Sequence, residues 1–202
     1  FGATNLGIPG AVVSRRIQDL SAQTGQSILA NYTDGQAPFV PRDSTLVTIF
    51  AGGNDANTVG SAARAGAGGA NVEAFLTDQI AAFGQDFRAL LAAIRARAPN
   101  ATIVVLNLPN LSRLPYVAGL PATERDWLRR LSVGFSAAMN ATRDTQVRVV
   151  DLMCSATLYA PDIYSSDGFH PNDRGYALLA DLVSAAVSTP PPAPAVSCGL
   201  MN

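Results

Sequence analysis

Thr45-Leu46-Val47-Thr48-Ile49-Phe50 runs directly into Ala51-Gly52-Gly53-Asn54-Asp55, a β-branched run closed by two glycines and two turn-forming side chains. The first six residues read as a strand buried on both faces, and the glycines let the chain turn sharply at its carboxyl end. Thr102-Ile103-Val104-Val105-Leu106 reads the same way, and Gln146-Val147-Arg148-Val149-Val150 as a third strand. Between the first two strands, Val72, Leu76, Ile80, Phe83, Phe87, Leu90 and Ile94 recur at steps of four and three. That is the stripe of one long amphipathic helix, weakest at Gly84 and ended by Ala98-Pro99-Asn100. Thr123 with Asp126 reads as a capping-box variant opening a second helix, and a third follows Asn172 with Tyr176, Leu179 and Val183 along it. Strands alternating with such helices predict an α/β fold with a layered parallel sheet. The small residues 56–71 follow a strand end, where open α/β sheets bind ligands, and read as a flexible loop.

The chain has 202 residues, 48% hydrophobic and 14% charged, which suits one globular domain. Every basic residue is arginine; without lysine there is no Schiff-base chemistry and no Walker-type phosphate loop. Fourteen basic against 15 acidic residues, with no basic run, argue against a nucleic-acid partner. No apolar run reaches the roughly 18 residues of a membrane span. Cys154, His170 and Cys198 fit no usual zinc spacing, so no metal or other cofactor is expected. The two cysteines suit one Cys154–Cys198 disulfide in an oxidising compartment, hence a secreted, periplasmic or cell-surface protein; two buried free thiols are the alternative. Residues 1–187 read as the folded domain and 188–202, with Thr-Pro-Pro-Pro-Ala-Pro, as a proline-rich strap that the disulfide would tie back.

The sole histidine lies in Ser166-Asp167-Gly168-Phe169-His170-Pro171-Asn172. In a tight turn, Asp167 reaches Nδ1 of His170, which fixes the tautomer and leaves Nε2 as a general base; a helix cap is the plainer use of the same residues. Asn54 at the first strand's carboxyl end offers a side-chain amide to a developing oxyanion, or is ordinary turn chemistry. Gly10, in Asn5-Leu6-Gly7-Ile8-Pro9-Gly10-Ala11, offers a second donor through its amide, or is a structural turn.

In this order and at these separations the three segments resemble the SGNH hydrolase superfamily, the GDSL-type esterases and lipases. Asn-Leu-Gly-Ile-Pro-Gly is similar to its second block, Gly-Gly-Asn-Asp to its third and Asp-Gly-Phe-His-Pro to its fifth. Leu106-Asn107-Leu108-Pro109-Asn110-Leu111 resembles the secreted bacterial branch. The resemblance spans essentially the whole chain. It implies a flavodoxin-like three-layer α/β/α sandwich, hydrolysis of small-molecule acyl esters without a cofactor, His170 as base, Asp167 as its orienting carboxylate, and Gly10 and Asn54 as oxyanion donors.

One block does not match. The family's Gly-Asp-Ser-x-Ser, which carries the nucleophile at the end of the first strand, is not in this sequence, and neither Ser14, Ser44, Ser165 nor Ser166 stands where it would be replaced. The expectation is therefore a larger part of an esterase, inactive by itself, whose first strand and nucleophile lie on an N-terminal segment, cleaved, on another chain or outside this sequence. A catalytically inactive scaffold used for binding or structure is the alternative. Metal-dependent hydrolysis has too few ligands.

Overall fold

The computed structural model describes residues 2–25 and 27–202. The chain enters through an irregular exposed stretch into α1 (Arg15–Gln23) and the short α2 (Tyr32–Gly35), then β1 (Leu46–Phe50), α3 (Gly53–Arg64) and α4 (Val72–Arg97). There follow β2 (Thr102–Leu106), α5 (Ala122–Asn140), β3 (Val147–Val150) and α6 (Asp173–Ser188). The three strands form one parallel sheet in the order β1-β2-β3, with Val47 beside Ile103 and Ile103 beside Val147. The α/β class and its layering are as the alternation of patterns predicts.

The two faces of the sheet are covered unequally. Val47, Ile49, Ile103, Val105, Val147 and Val149 point to one face and join a core built with Phe83, Phe87, Phe135 and Met139 from α4 and α5. The Phe83 and Phe135 rings stack 3.9 Å apart at its centre. On the opposite face Val104, Leu106 and Val150 cluster with Leu179, Leu182 and Val183 of α6 and with Leu152, Leu158 and Ile163 from the segment after β3. That helix lies over β2 and β3.

β1 therefore departs from the expectation of burial on both faces. Leu46 and Phe50 share a face with Val104 and Leu106 across the register, yet remain 37% and 42% exposed. Among the described residues, no strand pairs with the outer edge of β1. A β-branched run records that a strand is apolar, not whether neighbours are present to cover it.

Two further expectations are corrected. Of residues 56–71, 56–64 belong to helix α3 rather than to a loop, because Ala56, Val59, Ala62 and Ala63 are small enough to pack it tightly into the core, while 65–70 form turns. Thr123 does not cap α5: the helix starts at Ala122 after Pro121, with no side-chain cap. Ser14 immediately precedes α1, and its hydroxyl donates to Asp86 at 2.7 Å. Gly84 leaves α4 unbroken, since a Cβ there would come within 3.3 Å of Ala138 on α5. Close helix approach offsets the helix-propensity loss of roughly 1 kcal/mol.

The C-terminal tail is held by Cys154–Cys198, bonded with Cα atoms 6.0 Å apart. Buried Asn110 donates to Leu200 O at 2.7 Å, Asp151 accepts from Ala195 N at 3.0 Å, and Arg113 donates to Asn202 O at 2.8 Å. With the cysteines 44 positions apart in the sequence, the chain-entropy account gives the bond about 4 kcal/mol. Replacing both cysteines by serine should lower the unfolding free energy by about 2–4 kcal/mol in urea titrations, and alkylation of the denatured, unreduced protein should leave both sulfurs unlabelled.

Candidate active site

The site is assembled at the carboxyl end of β1, where Gly52 adopts φ of +101° and delivers the chain straight into α3. Only glycine fits there: a side chain would meet Met139 at 2.8 Å in addition to the backbone strain. Asn54 and Asp55 consequently stand in the first turn of α3 and reach across to the segment that follows the Pro9-Gly10 turn. The Asn54 amide donates to Ala11 O at 3.0 Å, and Asp55 Oδ1 accepts from Val13 N at 2.9 Å. Ala11 N–H closes the turn onto Ile8 O at 3.1 Å, with Gly10 at φ of +75°. An Asn amide carries two N–H donors, and the Ala11 bond occupies one.

On the opposite side, Gly168 at φ of +69° folds residues 165–171 into a tight turn against residues 115 and 116. Asp167 Oδ1 accepts from the N–H groups of Phe169 and His170 at 2.9 and 3.0 Å, and Oδ2 lies 2.6 Å from His170 Nδ1. The bond to the imidazole and the two backbone N–H groups hold the Asp167 carboxyl down at about 2. It is ionised over the working pH range and fixes the ring through Nδ1, leaving Nε2 unhindered. Asn172 then caps α6 by accepting from Gly175 N at 3.1 Å.

Gly10, Asn54 and His170 line one cleft of about 330 Å³. Phe50, Tyr176 and Leu179 also line it, so it runs from the imidazole toward the uncovered face of β1. Deeper apolar wall comes from Leu108, Leu152 and Ile163. Among the described residues, no serine, threonine or cysteine lines the cleft. Asp167 stands behind the imidazole, outside the cleft wall. Among the described residues, no group of three or more His, Cys, Asp or Glu side chains is placed to hold a metal ion. Among the described residues, no helix is long and apolar enough to cross a membrane.

The GDSL-like lipase/acylhydrolase family matches residues 2–178, which contain both turns and every cleft-lining residue but Leu179. The chain belongs to that family. As a GDSL-like hydrolase chain it shares its fold with the lipase Lip_vut3 from a goat rumen metagenome, at TM-score 0.57 and 16% identity over 90% of this chain and 89% of that one. No curated protein matches it in sequence.

Asp55 is the site residue that sequence reading passed over. It is fully buried, Oδ2 has no hydrogen-bond partner, and burial pushes its carboxyl up to about 7 against the opposing pull of the Val13 N–H. Its position beside Asn54 was visible, but its partner is 42 residues away. A carboxyl whose pKa rises on folding binds its proton more tightly in the native state, so unfolding free energy falls as pH rises from about 4 to about 7, by up to about 1.4 kcal/mol per pH unit. Asp55→Asn keeps an acceptor for Val13 N–H and should remove this slope. The check is urea denaturation of both proteins at several pH values, since other titrating groups cancel in the difference.

Proposed function

We propose that this chain carries the base, its carboxylate and two oxyanion donors of a serine esterase acting on small-molecule acyl esters, with the nucleophile supplied by an N-terminal segment. The observation that supports the reading best is the cleft. It brings the Asp167-oriented imidazole of His170, the Gly10 turn and the Asn54 amide together, adjoins an unpaired edge of the sheet and, among the described residues, is lined by no serine, threonine or cysteine. A parallel strand added beside β1 would end at the same edge of the sheet as its neighbours. Its C-terminal turn would then stand between the imidazole and the oxyanion donors. Such a strand would also cover Leu46 and Phe50.

In the reaction, the serine hydroxyl adds to the ester carbonyl carbon as its proton passes to His170 Nε2. The carbonyl oxygen becomes an oxyanion bonded by the Gly10 N–H and the free Asn54 N–H. Collapse breaks the C–O bond, and the departing alkoxide takes the proton back from Nε2. Water, deprotonated by the same nitrogen, adds to the acyl-enzyme and releases the acid and the serine. Asp167 holds the imidazole in the required tautomer throughout and stabilises it when protonated. The 202 residues alone are inactive on this reading. The disulfide and the strap at 188–202 suit a protein exported to an oxidising compartment.

With the upstream segment present, His170→Ala should lower kcat for a short-chain p-nitrophenyl ester by roughly 10²–10⁴ without altering the circular dichroism spectrum. Asn54→Ala should lower kcat by roughly 10²–10³ with little change in KM. Unchanged hydrolysis in His170→Ala would remove the mechanism, and no hydrolysis by the wild type would favour the inactive scaffold.

A further inference from the structure

A second cavity, about 240 Å³, lies between α3, α5 and the turn at residues 115–117, and the esterase reading makes no use of it. One aromatic pair stands between it and the cleft. Tyr116 lines the second cavity and packs edge-to-face on Phe169 at 4.9 Å; Phe169 lines the first and packs in the same way on the His170 ring, also at 4.9 Å. Tyr116 N–H further donates to Gly168 O at 3.3 Å, so this wall is built into the same turn that holds the histidine.

The lining combines two aromatic side chains with a compact polar set. Tyr116 and half-buried Trp127 supply the aromatic surfaces, while Asn57, Ser61 and Arg64 reach in from α3 and Glu124 from α5. Gly60 keeps the floor low: a Cβ there would press on Leu128 at 3.3 Å. Arg64 Nε donates to Glu124 Oε2 at 2.8 Å, so the charges cancel while guanidinium donors and carboxylate lone pairs remain available. The Tyr116 hydroxyl donates to Asn57 Oδ1 at 2.8 Å. Burial pushes that hydroxyl well above the usual phenol range, so the bond persists at any working pH. Among the described residues, neither the Asn57 amide N–H groups nor the Ser61 hydroxyl has a hydrogen-bond partner.

This chemistry selects among ligands. An acyl chain would desolvate Arg64, Glu124 and Asn57 without pairing them. An anion or a cation would meet a pair already neutralised. A neutral ring bearing several hydroxyls matches every wall, because each hydroxyl both donates and accepts and the C–H faces of the ring lie against Trp127 and Tyr116.

We infer that this cavity is a subsite for one neutral sugar unit, the alcohol portion of a sugar ester whose acyl carbonyl occupies the neighbouring cleft. The assignment of the alcohol portion rests on the esterase reading; sugar binding itself does not. Trp127 is the chain's single tryptophan, so its emission reports on this cavity alone. The 202-residue protein is titrated with methyl glucoside, methyl galactoside and methyl mannoside, with sodium butyrate as the acyl control. At least one glycoside should give a saturable change with a Kd on the order of 1 mM, and butyrate none. Arg64→Ala and Glu124→Gln should each weaken that binding tenfold or more, whereas His170→Ala should leave it unchanged. The Arg64 side chain is 53% exposed, so its truncation leaves the core intact. No saturable change with any glycoside up to about 100 mM, or equal affinity in both variants, overturns the subsite. Because binding is read without turnover, hydrolysis of simple esters with no glycoside binding removes this inference alone. Glycoside binding with no ester hydrolysis once the upstream segment is present removes the esterase reading alone.

Discussion

Two hydrogen bonds from adjacent residues set the geometry on which the site depends. Asn54 and Asp55, in the first turn of α3, hold Ala11 O and Val13 N, and through them fix the Gly10 turn relative to the end of β1. Neither bond contributes more than about 1–2 kcal/mol net, but leaving either buried partner unpaired would cost as much again. The arrangement has its own cost, since Asp55 is sealed from water with one oxygen unpartnered. That cost is consistent with a site where local strain is retained because it positions a functional group. Gly52 is part of the same device: without its left-handed backbone the strand would not turn into α3 soon enough for Asn54 to reach Ala11.

A second constraint comes from the unequal covering of the sheet. One face is closed by α3, α4 and α5 around the stacked Phe83 and Phe135 rings, and is rigid enough to hold the strand ends in place. The other has a single helix, α6, displaced toward β2 and β3. The cleft opens where α6 leaves β1 bare, so Phe50, Tyr176 and Leu179 are at once cleft wall and exposed edge. An apolar, unpaired strand edge is a liability for a chain in water. On the proposed reading, a further strand at that position would cover the exposed edge and carry the nucleophile.

What could be read from the sequence follows the range of the interactions. The β2 and α4 segments carry their burial in a local period, and Asp167 and His170 are three residues apart, so the turn that joins them was visible directly. The α3 helix was not, because it packs by small residues and shows no stripe. Exposure of β1 was hidden because it depends on a neighbour that the strand does not encode. Asp55 needed Val13, 42 residues away, and Arg64 needed Glu124, 60 residues away. Such pairings are properties of the folded chain rather than of any window of it.

The central claim is that His170, Asp167, Gly10 and Asn54 serve a serine carried by a segment docked beside β1. It is tested most directly by reacting the naturally produced protein, as isolated, with a fluorophosphonate and locating the adduct by peptide mass spectrometry. The account predicts a single labelled serine outside these 202 residues, on a peptide that remains associated with the chain, and loss of labelling when His170 is replaced. An adduct on one of the chain's own serines would contradict it.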